Sequence, residues 1–422
     1  MSSPADTLHP ELGLPLEGTA RLLRTRVLAR LAGLRGGQLR LQDREGVVVL
    51  GQADGRDPLQ ATLHVRDADF YRQVGLNGSV GAAEAYMEGH WHSDDLVTLV
   101  RLLVRNRDLL DGMEGGWARL GAWALKAWHG LRRNTRSGSR RNIAAHYDLG
   151  NELFRLFLDE RMMYSSAIFA PGDTLDQASV RKLDRVCQRL ELGPDDHLLE
   201  IGTGWGGMAI HAATHYGCRV TTTTISREQH ALATERIATA GLSDRIDVRL
   251  EDYRDLRGRF DKLVSIEMVE AVGHQYLDTY FARCAALLRP GGLALVQAIT
   301  IEDDRYERAL HSVDFIKRHI FPGSFIPCVS VLVDAAARAG ALRLLALDDI
   351  GSSYAQTLLH WRQRFHGRLD EVRALGYDDR FVRMWEFYLC YCEGGFREQS
   401  ISNVQMLFGR AGVRCRAHPP AP

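Results

Sequence analysis

Short apolar runs alternate with stretches of helical periodicity between residues 142 and 300. Each run has the length of a buried strand, and each periodic stretch has the length of a helix with one apolar face. This succession predicts an α/β fold in which helices cover both faces of a doubly wound parallel sheet. The predicted strands are His197–Ile201, Arg219–Thr224, Ile246–Leu250, Lys262–Ile266 and Leu293–Ile299, and the predicted helices are Leu175–Leu192, Met208–Tyr216, Arg227–Ala240 and Tyr276–Leu287.

The first third of the chain has a different pattern. Residues 18–34 have helical spacing, and residues 38–50 alternate and then become apolar, which is typical of a β-hairpin. A strand at Leu59–Val65 and three short helices follow, so we predict a smaller α+β domain over residues 1–134 and a larger α/β domain over residues 135–422. The three helices are Phe70–Leu76, Val80–Met87 and Asp94–Val104, and residues 1–16 are expected to be poorly ordered.

An aromatic and basic segment joins the two predicted domains. Residues 117–131 place three tryptophans among leucines at helical spacing, and five arginines follow by residue 141. An amphipathic, tryptophan-rich helix followed by arginines fits the headgroup region of an anionic membrane. A helix packed on the second domain, followed by a solvated basic linker, explains the same pattern, and the sequence leaves both interpretations open.

The composition limits the cellular compartments and the classes of binding partner that we expect. Lys plus Arg and Asp plus Glu each number 53 among 422 residues, so no overall positive charge favours nucleic acid. Seven cysteines without regular spacing are typical of free thiols in a reducing compartment. No apolar run approaches the ~18 residues that span a bilayer, and the N-terminus lacks the apolar core of a signal peptide. We expect a cytoplasmic protein that associates peripherally with the inner face of the membrane.

Residues 198–207 form the most informative segment, in which an apolar strand runs into a carboxylate and four glycines. Glycine lets the backbone turn sharply and approach a ligand closely. A dinucleotide turn has the order G-x-G-x-x-G, whereas this chain has E-x-G-x-G-x-G-G. The carboxylate before the first glycine suits S-adenosylmethionine (SAM), which carries an amino acid and a ribose but no phosphate. A glycine-rich loop without a ligand is the alternative.

Several further motifs follow one another in a fixed order along residues 140–410. In order and spacing they resemble the cyclopropane-fatty-acyl-phospholipid synthases, a family of SAM-dependent methyltransferases. The resemblance implies a class I SAM-dependent methyltransferase fold, with a Rossmann-like doubly wound sheet, beside the smaller N-terminal α+β domain. The motifs are His146–Phe154 (HYDLGNELF), Tyr164–Ala167 (YSSA), Thr224–Gln229 (TISREQ), Met268–Gly273 (MVEAVG) and Cys392–Phe396 (CEGGF).

The resemblance assigns the cofactor to residues at the ends of the predicted strands. Two hydroxyls would bond the amino-acid end of SAM beside the glycine turn. At the tip of the second strand, where many methyltransferases bind the ribose with an acid, two hydroxyls and an amide stand instead. Two acids after the third strand are placed to meet the adenine amino group, or else belong to a solvated loop. These cofactor residues are, in chain order, Tyr164, Ser165, Glu200, Gly202, Gly204, Gly206, Thr224, Ser226, Gln229, Glu251 and Asp252.

The resemblance also implies a bound bicarbonate that removes a proton during the reaction. The family positions that hold it correspond here to Ser166, Glu270, Gln297, Ile299 and Tyr354. Ser166 stands where the family has cysteine, and Gln297 replaces a histidine with a neutral amide that can still bond an oxyanion. Glu270 is the strongest candidate, because it follows the fourth strand, where this fold places its chemistry. The histidines lack metal-ligand spacing, so no metal site is predicted.

The implied reaction is methylation of a carbon–carbon double bond. SAM would transfer a methyl(ene) group to an unsaturated fatty acyl chain of a phospholipid at the membrane surface. The reaction would pass through a carbocation that aromatic faces stabilise. A cyclopropane chain is the expected product, and the altered base positions leave a methylene- or methyl-branched chain as the alternative. A small-molecule methyltransferase and a non-catalytic lipid-binding protein are the rival classes, and the family resemblance suggests a homodimer.

Overall fold

The first unit of the chain is an α+β domain built on a four-stranded sheet. The computed structural model describes residues 18–111 and 149–413, and the chain divides into two units, Met1–Gly121 and Ala122–Pro422. The described elements of the first unit are α1 (Gly18–Leu31), β1 (Gly37–Asp43), β2 (Gly46–Leu50), β3 (Leu59–Val65), α2 (Asp69–Met87), β4 (Trp91–His92), α3 (Leu96–Arg105) and α4 (Arg107–Asp111).

Most predicted elements of this unit are present. Strands β1 and β2 form the predicted antiparallel hairpin, and β3 pairs with β1 in parallel, which gives the order β2-β1-β3-β4. Helix α2 is interrupted at Gly78, whose φ of 57° favours glycine, so the two predicted short helices flank this break. The predicted boundary at residue 134, the tryptophan–arginine segment and residues 1–16 lie outside the described residues.

The second unit contains the predicted succession of strands and helices, followed by two further strands. Between its regular elements lie single 3₁₀ turns and one π turn at Ile316–Ile320. The described elements are α5 (Asn151–Phe157), α6 (Leu175–Arg189), β5 (His197–Ile201), α7 (Gly207–Tyr216), β6 (Arg219–Thr224), α8 (Arg227–Thr239), β7 (Ile246–Leu250), β8 (Phe260–Ile266), α9 (Leu277–Leu287), β9 (Leu288–Ile301), α10 (Tyr306–Leu310), α11 (Val329–Arg338), β10 (Leu342–Asp349), α12 (Gly351–His366), α13 (Leu369–Ala374), α14 (Asp379–Arg397) and β11 (Ile401–Arg410).

These strands form one seven-stranded sheet of order β10-β11-β9-β8-β5-β6-β7. Strands β5 to β9 run parallel, and β11 is antiparallel to both β9 and β10. The chain moves outward from β5 to β6 and β7, then returns to β8 on the other side of β5. Ligands of such sheets bind at this switch point, beyond the carboxyl ends of the strands. The candidate site therefore lies where β5 and β8 end.

The predicted strand boundaries agree closely with the sheet. Strands β5, β6 and β7 match residue for residue, whereas β8 and β9 begin before their predicted first residues. Strands β10 and β11 were not predicted. They pair antiparallel at the edge of a parallel sheet, an arrangement that the local pattern of each strand does not specify.

Apolar side chains fill both faces of this sheet. Leu198 packs into one buried cluster and its neighbour Leu199 into another, as the alternation of side chains along a strand requires. Two covered faces explain why the central strands contain apolar runs such as Leu293–Val296. Among the described residues, no helix is both long enough and apolar enough to cross a membrane.

Candidate active site

The turn after β5 has the backbone that the glycine pattern predicts. Gly202, Gly204 and Gly206 have φ values of 106°, 51° and 85°, a region that other residues rarely adopt. At Gly207 a Cβ would lie 2.6 Å from the Arg161 carbonyl oxygen, so the turn also depends on close backbone packing. At Gly204 a Cβ would meet nothing within 4 Å, so the turn has room there for a cofactor that bears an amino acid.

The polar residues at the tip of β6 bond to one another. The Thr224 hydroxyl donates to Gln229 Oε1 (2.8 Å) and accepts the Ser226 N–H (3.1 Å). The Ser226 hydroxyl in turn accepts the Gln229 N–H (3.3 Å) and caps α8. Thr224, Ser226 and Gln229 are thus brought together at the strand end to which the resemblance assigns the ribose.

The predicted acids have different surroundings. Glu200 is buried and accepts the Thr222 hydroxyl (2.7 Å), and burial raises its pKa to about 8. Asp252 is buried in a bidentate ion pair with Arg254 (shortest distance 2.6 Å), while the Glu251 carbonyl accepts the Thr223 hydroxyl. The predicted adenine contact therefore falls on an aspartate that already has an arginine partner.

Tyr164 and Ser165 lie on the segment between α5 and α6. The Tyr164 and Tyr388 hydroxyls are 2.9 Å apart. Ser165 Oγ accepts a hydrogen bond from Lys182 Nζ (2.9 Å), and that lysine is wholly buried on α6. Sequence reasoning missed Lys182, because in α6 it looks like any polar residue of an amphipathic helix.

An aromatic cluster surrounds Tyr164. Its ring centroid lies 5.2 Å from that of Phe154, 5.3 Å from that of Trp361 and 6.4 Å from that of Phe321. Aromatic faces attract positive charge and exclude water. The cluster can therefore stabilise a cation that forms next to it. Its further members are Phe157, Trp205, Trp385 and Tyr388.

The carboxylate of Glu267, at the end of β8, collects most of the donors predicted for bicarbonate. Its Oε1 accepts the Ser166 N–H (2.9 Å) and Gln297 Nε2 (2.8 Å), and its Oε2 accepts the Tyr354 hydroxyl (2.8 Å). Asn403 Nδ2, from β11, donates to Oε1 as a fourth partner (2.6 Å). Burial raises the pKa of Glu267, while these donors act in the opposite direction. A carboxylate of raised pKa in such a setting suits a general base.

Glu270 and Ile299 pair with each other instead. Glu270 Oε1 accepts the Ile299 N–H (2.6 Å), and Oε2 is a buried atom with no partner among the described residues. Burial, and then the nearby charge of Glu267, raise the pKa of Glu270 to about 8. The five residues predicted around bicarbonate are thus divided, with Ser166, Gln297 and Tyr354 on Glu267 and the remaining two apart.

Sequence reasoning missed Glu267 and Asn403. Glu267 lies directly before the motif that drew attention to Glu270, and an acid at the end of a central strand was a usable signal. Asn403 had no such signal, because it reaches the site only through the pairing of β11 with β9.

Comparison with known proteins identifies the family. The family model described as mycolic acid cyclopropane synthetase matches residues 134–406. The chain belongs to this family. It is 38% identical over 407 residues to a tuberculostearic acid methyltransferase of Mycobacterium tuberculosis, covering 94% of this chain and 93% of that protein. It is 34% identical over 372 residues to the cyclopropane-fatty-acyl-phospholipid synthase of Escherichia coli, covering 88% and 92%.

A solved member of the family has the same architecture. The crystal structure of a mycolic acid cyclopropane synthase with bound S-adenosylhomocysteine (SAH) superposes with a TM-score of 0.60 at 29% identity, covering 64% of this chain and 98% of that one. This chain is thus a SAM-dependent methyltransferase with a class I fold. The open glycine turn and the hydroxyls of Ser165 and Thr224 fit that cofactor.

Proposed function

We propose that this enzyme methylates the double bond of an unsaturated fatty acyl chain of a phospholipid and releases a methylene-branched chain. The observation that carries the proposal is the Glu267 carboxylate, held by four donors at the end of β8. Three of these donors come from positions where the family resemblance predicts bicarbonate. A protein carboxylate thus takes the role that the resemblance gives to a bound ion.

The chemistry requires a base of this kind. When bound, SAM supplies a methyl group that adds to one alkene carbon and leaves a positive charge on the other. The aromatic cluster around Tyr164 stabilises this charge. A hydride shift moves the charge to the methylated carbon, and Glu267 then takes a proton from the new methyl group, so that its C–H electrons form the double bond of a methylene branch. Tyr354, Gln297 and Asn403 keep the carboxylate oriented for this transfer.

A cyclopropane product is the second candidate. It forms when the proton is lost before the hydride shift, so that the methyl carbon closes onto the cationic carbon. The donors of Ser166, Gln297 and Tyr354, which stand at the family's bicarbonate positions, favour it, as does the similarity to the E. coli synthase. The similarity to the tuberculostearic acid methyltransferase covers more of the chain and favours branching, because tuberculostearic acid is a methyl-branched fatty acid.

Product analysis decides between the two. We expect the purified protein, given SAM and vesicles of a dioleoyl phospholipid, to release SAH and to add one carbon to the acyl chain. Mass spectrometry detects the addition, and proton NMR distinguishes the vinylic protons of a methylene branch from the high-field protons of a cyclopropane ring. A ring as the main product would contradict the proposal.

Variants of Glu267 test its role as the base. Glu267→Gln keeps the shape of the side chain but cannot accept a proton, so kcat should fall by at least about 100-fold while the Kd for SAM is unchanged. Glu267→Gly frees the donors for a small oxyanion, so added bicarbonate should restore turnover. If Glu267→Gln retains wild-type kcat, Glu267 is not the base.

A further inference from the structure

Lys182 is a wholly buried lysine that the reaction described above does not use. It lies on α6 with no exposed surface, and its Nζ donates to Ser165 Oγ over 2.9 Å. Taking an ammonium group out of water is expensive unless nearby groups compensate for it. A charged Lys182 at this position therefore requires neighbouring groups that stabilise the ammonium.

Three acidic side chains favour the charged form of Lys182. Burial lowers the pKa of Lys182 to about 8, while Glu267, Asp159 and Glu200 raise it. Each acid has hydrogen-bond donors of its own, for example the Met163 N–H on Asp159 (2.7 Å). The lysine therefore acts on these acids through its charge, while its hydrogen bond goes to a serine.

The hydrogen bond to Ser165 fixes the direction of a proton. Because Ser165 Oγ accepts from Lys182, the serine's own hydroxyl hydrogen must point elsewhere and can serve another acceptor. The next residue, Ser166, donates its N–H to Glu267. The Ser165 hydroxyl is thus available to the expected cofactor, while the Ser166 N–H bonds to the proposed base, Glu267.

We propose that Lys182 is a positioning residue for methyl transfer. It orients the Ser165 hydroxyl toward the carboxylate of SAM, and its positive charge keeps Glu267 ionised. The second part rests on the proposed function, since it takes Glu267 as the base. The other ionisable groups among the described residues that interact with the charge of Glu267 are Glu270, Tyr354 and Tyr388, whereas the charge of Lys182 opposes the effect of burial on Glu267.

Lys182→Met tests both parts, because it removes the charge and the donor while filling similar space. We expect the KM for SAM to rise about tenfold, as for the loss of one charge-assisted hydrogen bond. We also expect the acid limb of the kcat–pH profile to move up by about one pH unit, because without the cation Glu267 protonates at higher pH. SAH release between pH 5 and pH 8 gives both values.

Two further variants separate the parts. Ser165→Ala should raise the KM for SAM without moving the acid limb, because it removes the hydroxyl but keeps the charge of Lys182. Lys182→Arg keeps charge and donor, and should leave the acid limb at its wild-type pH. A folded Lys182→Met with an unchanged KM and acid limb overturns the proposal.

If Lys182→Met does not fold, the same readouts on Ser165→Ala and Lys182→Arg decide. An unchanged KM in the first, or a shifted acid limb in the second, overturns the corresponding part. SAH release counts methyl transfer whatever the product. A wild-type enzyme that makes a ring would therefore contradict the proposed function and leave the result for Lys182 intact.

Discussion

Two glutamates at the end of β8 have nearly the same surroundings but different partners. Glu267 accepts four hydrogen bonds, whereas Glu270 accepts one and has a buried oxygen without a partner among the described residues. Donors stabilise the charged form of a carboxylate, and burial favours the neutral form. The negative charge therefore belongs on Glu267, while Glu270 keeps its proton near neutral pH.

The proton on Glu270 predicts a pH-dependent stability. Its pKa rises from 4.5 to about 8 on folding, so the stabilisation it gives is present below pH 4.5 and is lost as the pH rises through 8. Glu270→Gln is neutral at every pH. We expect it to be within about 1 kcal/mol of wild type at pH 5 and to exceed the wild-type free energy of unfolding by about 3–4 kcal/mol at pH 8.

Chemical denaturation at pH 5 and pH 8 measures this difference. Glu235→Gln is the control, since Glu235 is exposed on α8 and should change neither value. A Glu270→Gln variant that is no more stable than wild type at pH 8 would show that Glu270 is ionised in the folded protein.

Residue types at strand ends were predictable, but their partners were not. Ser166, Gln297 and Tyr354 were predicted to surround one oxyanion, and they do converge on a carboxylate, although it belongs to Glu267. A sequence motif identifies the positions that surround a site. It does not show which neighbouring side chain occupies the space between them, because that depends on packing across several strands.

At the scale of elements, local periodicity was sufficient for β5, β6 and β7 and for the helices between them. Strand β5 is mostly apolar and ends in the glycine turn, β6 ends at the capping Ser226, and β7 alternates apolar and charged residues. Strand β11 instead depends on β9 and β10, and it carries Asn403 to Glu267. Local patterns could not predict Asn403 as a site residue, because it reaches Glu267 only through the pairing of strands distant in sequence.

The start of α7 offers a test of how tightly these elements pack. At Gly207 a Cβ would lie 2.6 Å from both the Arg161 carbonyl oxygen and Met163 Sδ. Gly207→Ala must push away the segment that leads to Tyr164. We expect it to lower the free energy of unfolding by about 1–3 kcal/mol and to weaken SAM binding.

Gly193→Ala is the matched control for that substitution. Its Cβ would meet only Asp196 Oδ2, at 3.8 Å, so stability should change by less than about 0.5 kcal/mol. Thermal unfolding and SAM titration of both variants give the comparison. Equal behaviour of the two would mean that the Arg161–Met163 segment can move without cost.

At the scale of the whole molecule, the site residues all belong to the second unit. The glycine turn, Lys182, Glu267 and Asn403 lie between residues 149 and 413, with their sheet and both apolar clusters. We therefore expect a fragment of residues 122–422 to fold and to bind SAM within about threefold of the Kd of the full chain.

Calorimetric titration of the fragment and of the full chain with SAM tests this expectation. Circular dichroism establishes that the fragment is folded before its affinity is compared. A folded fragment that fails to bind SAM would place part of the cofactor site in the first unit.

The bond from Asn403 to Glu267 joins residues 136 positions apart, and Gln405 on the same strand donates to Gln297. During synthesis, the acid leaves the ribosome long before the amide that helps to balance it. A chain interrupted in between would enclose an anion with one donor too few, which disfavours folding. Methylating activity would therefore arise only in chains completed through β11.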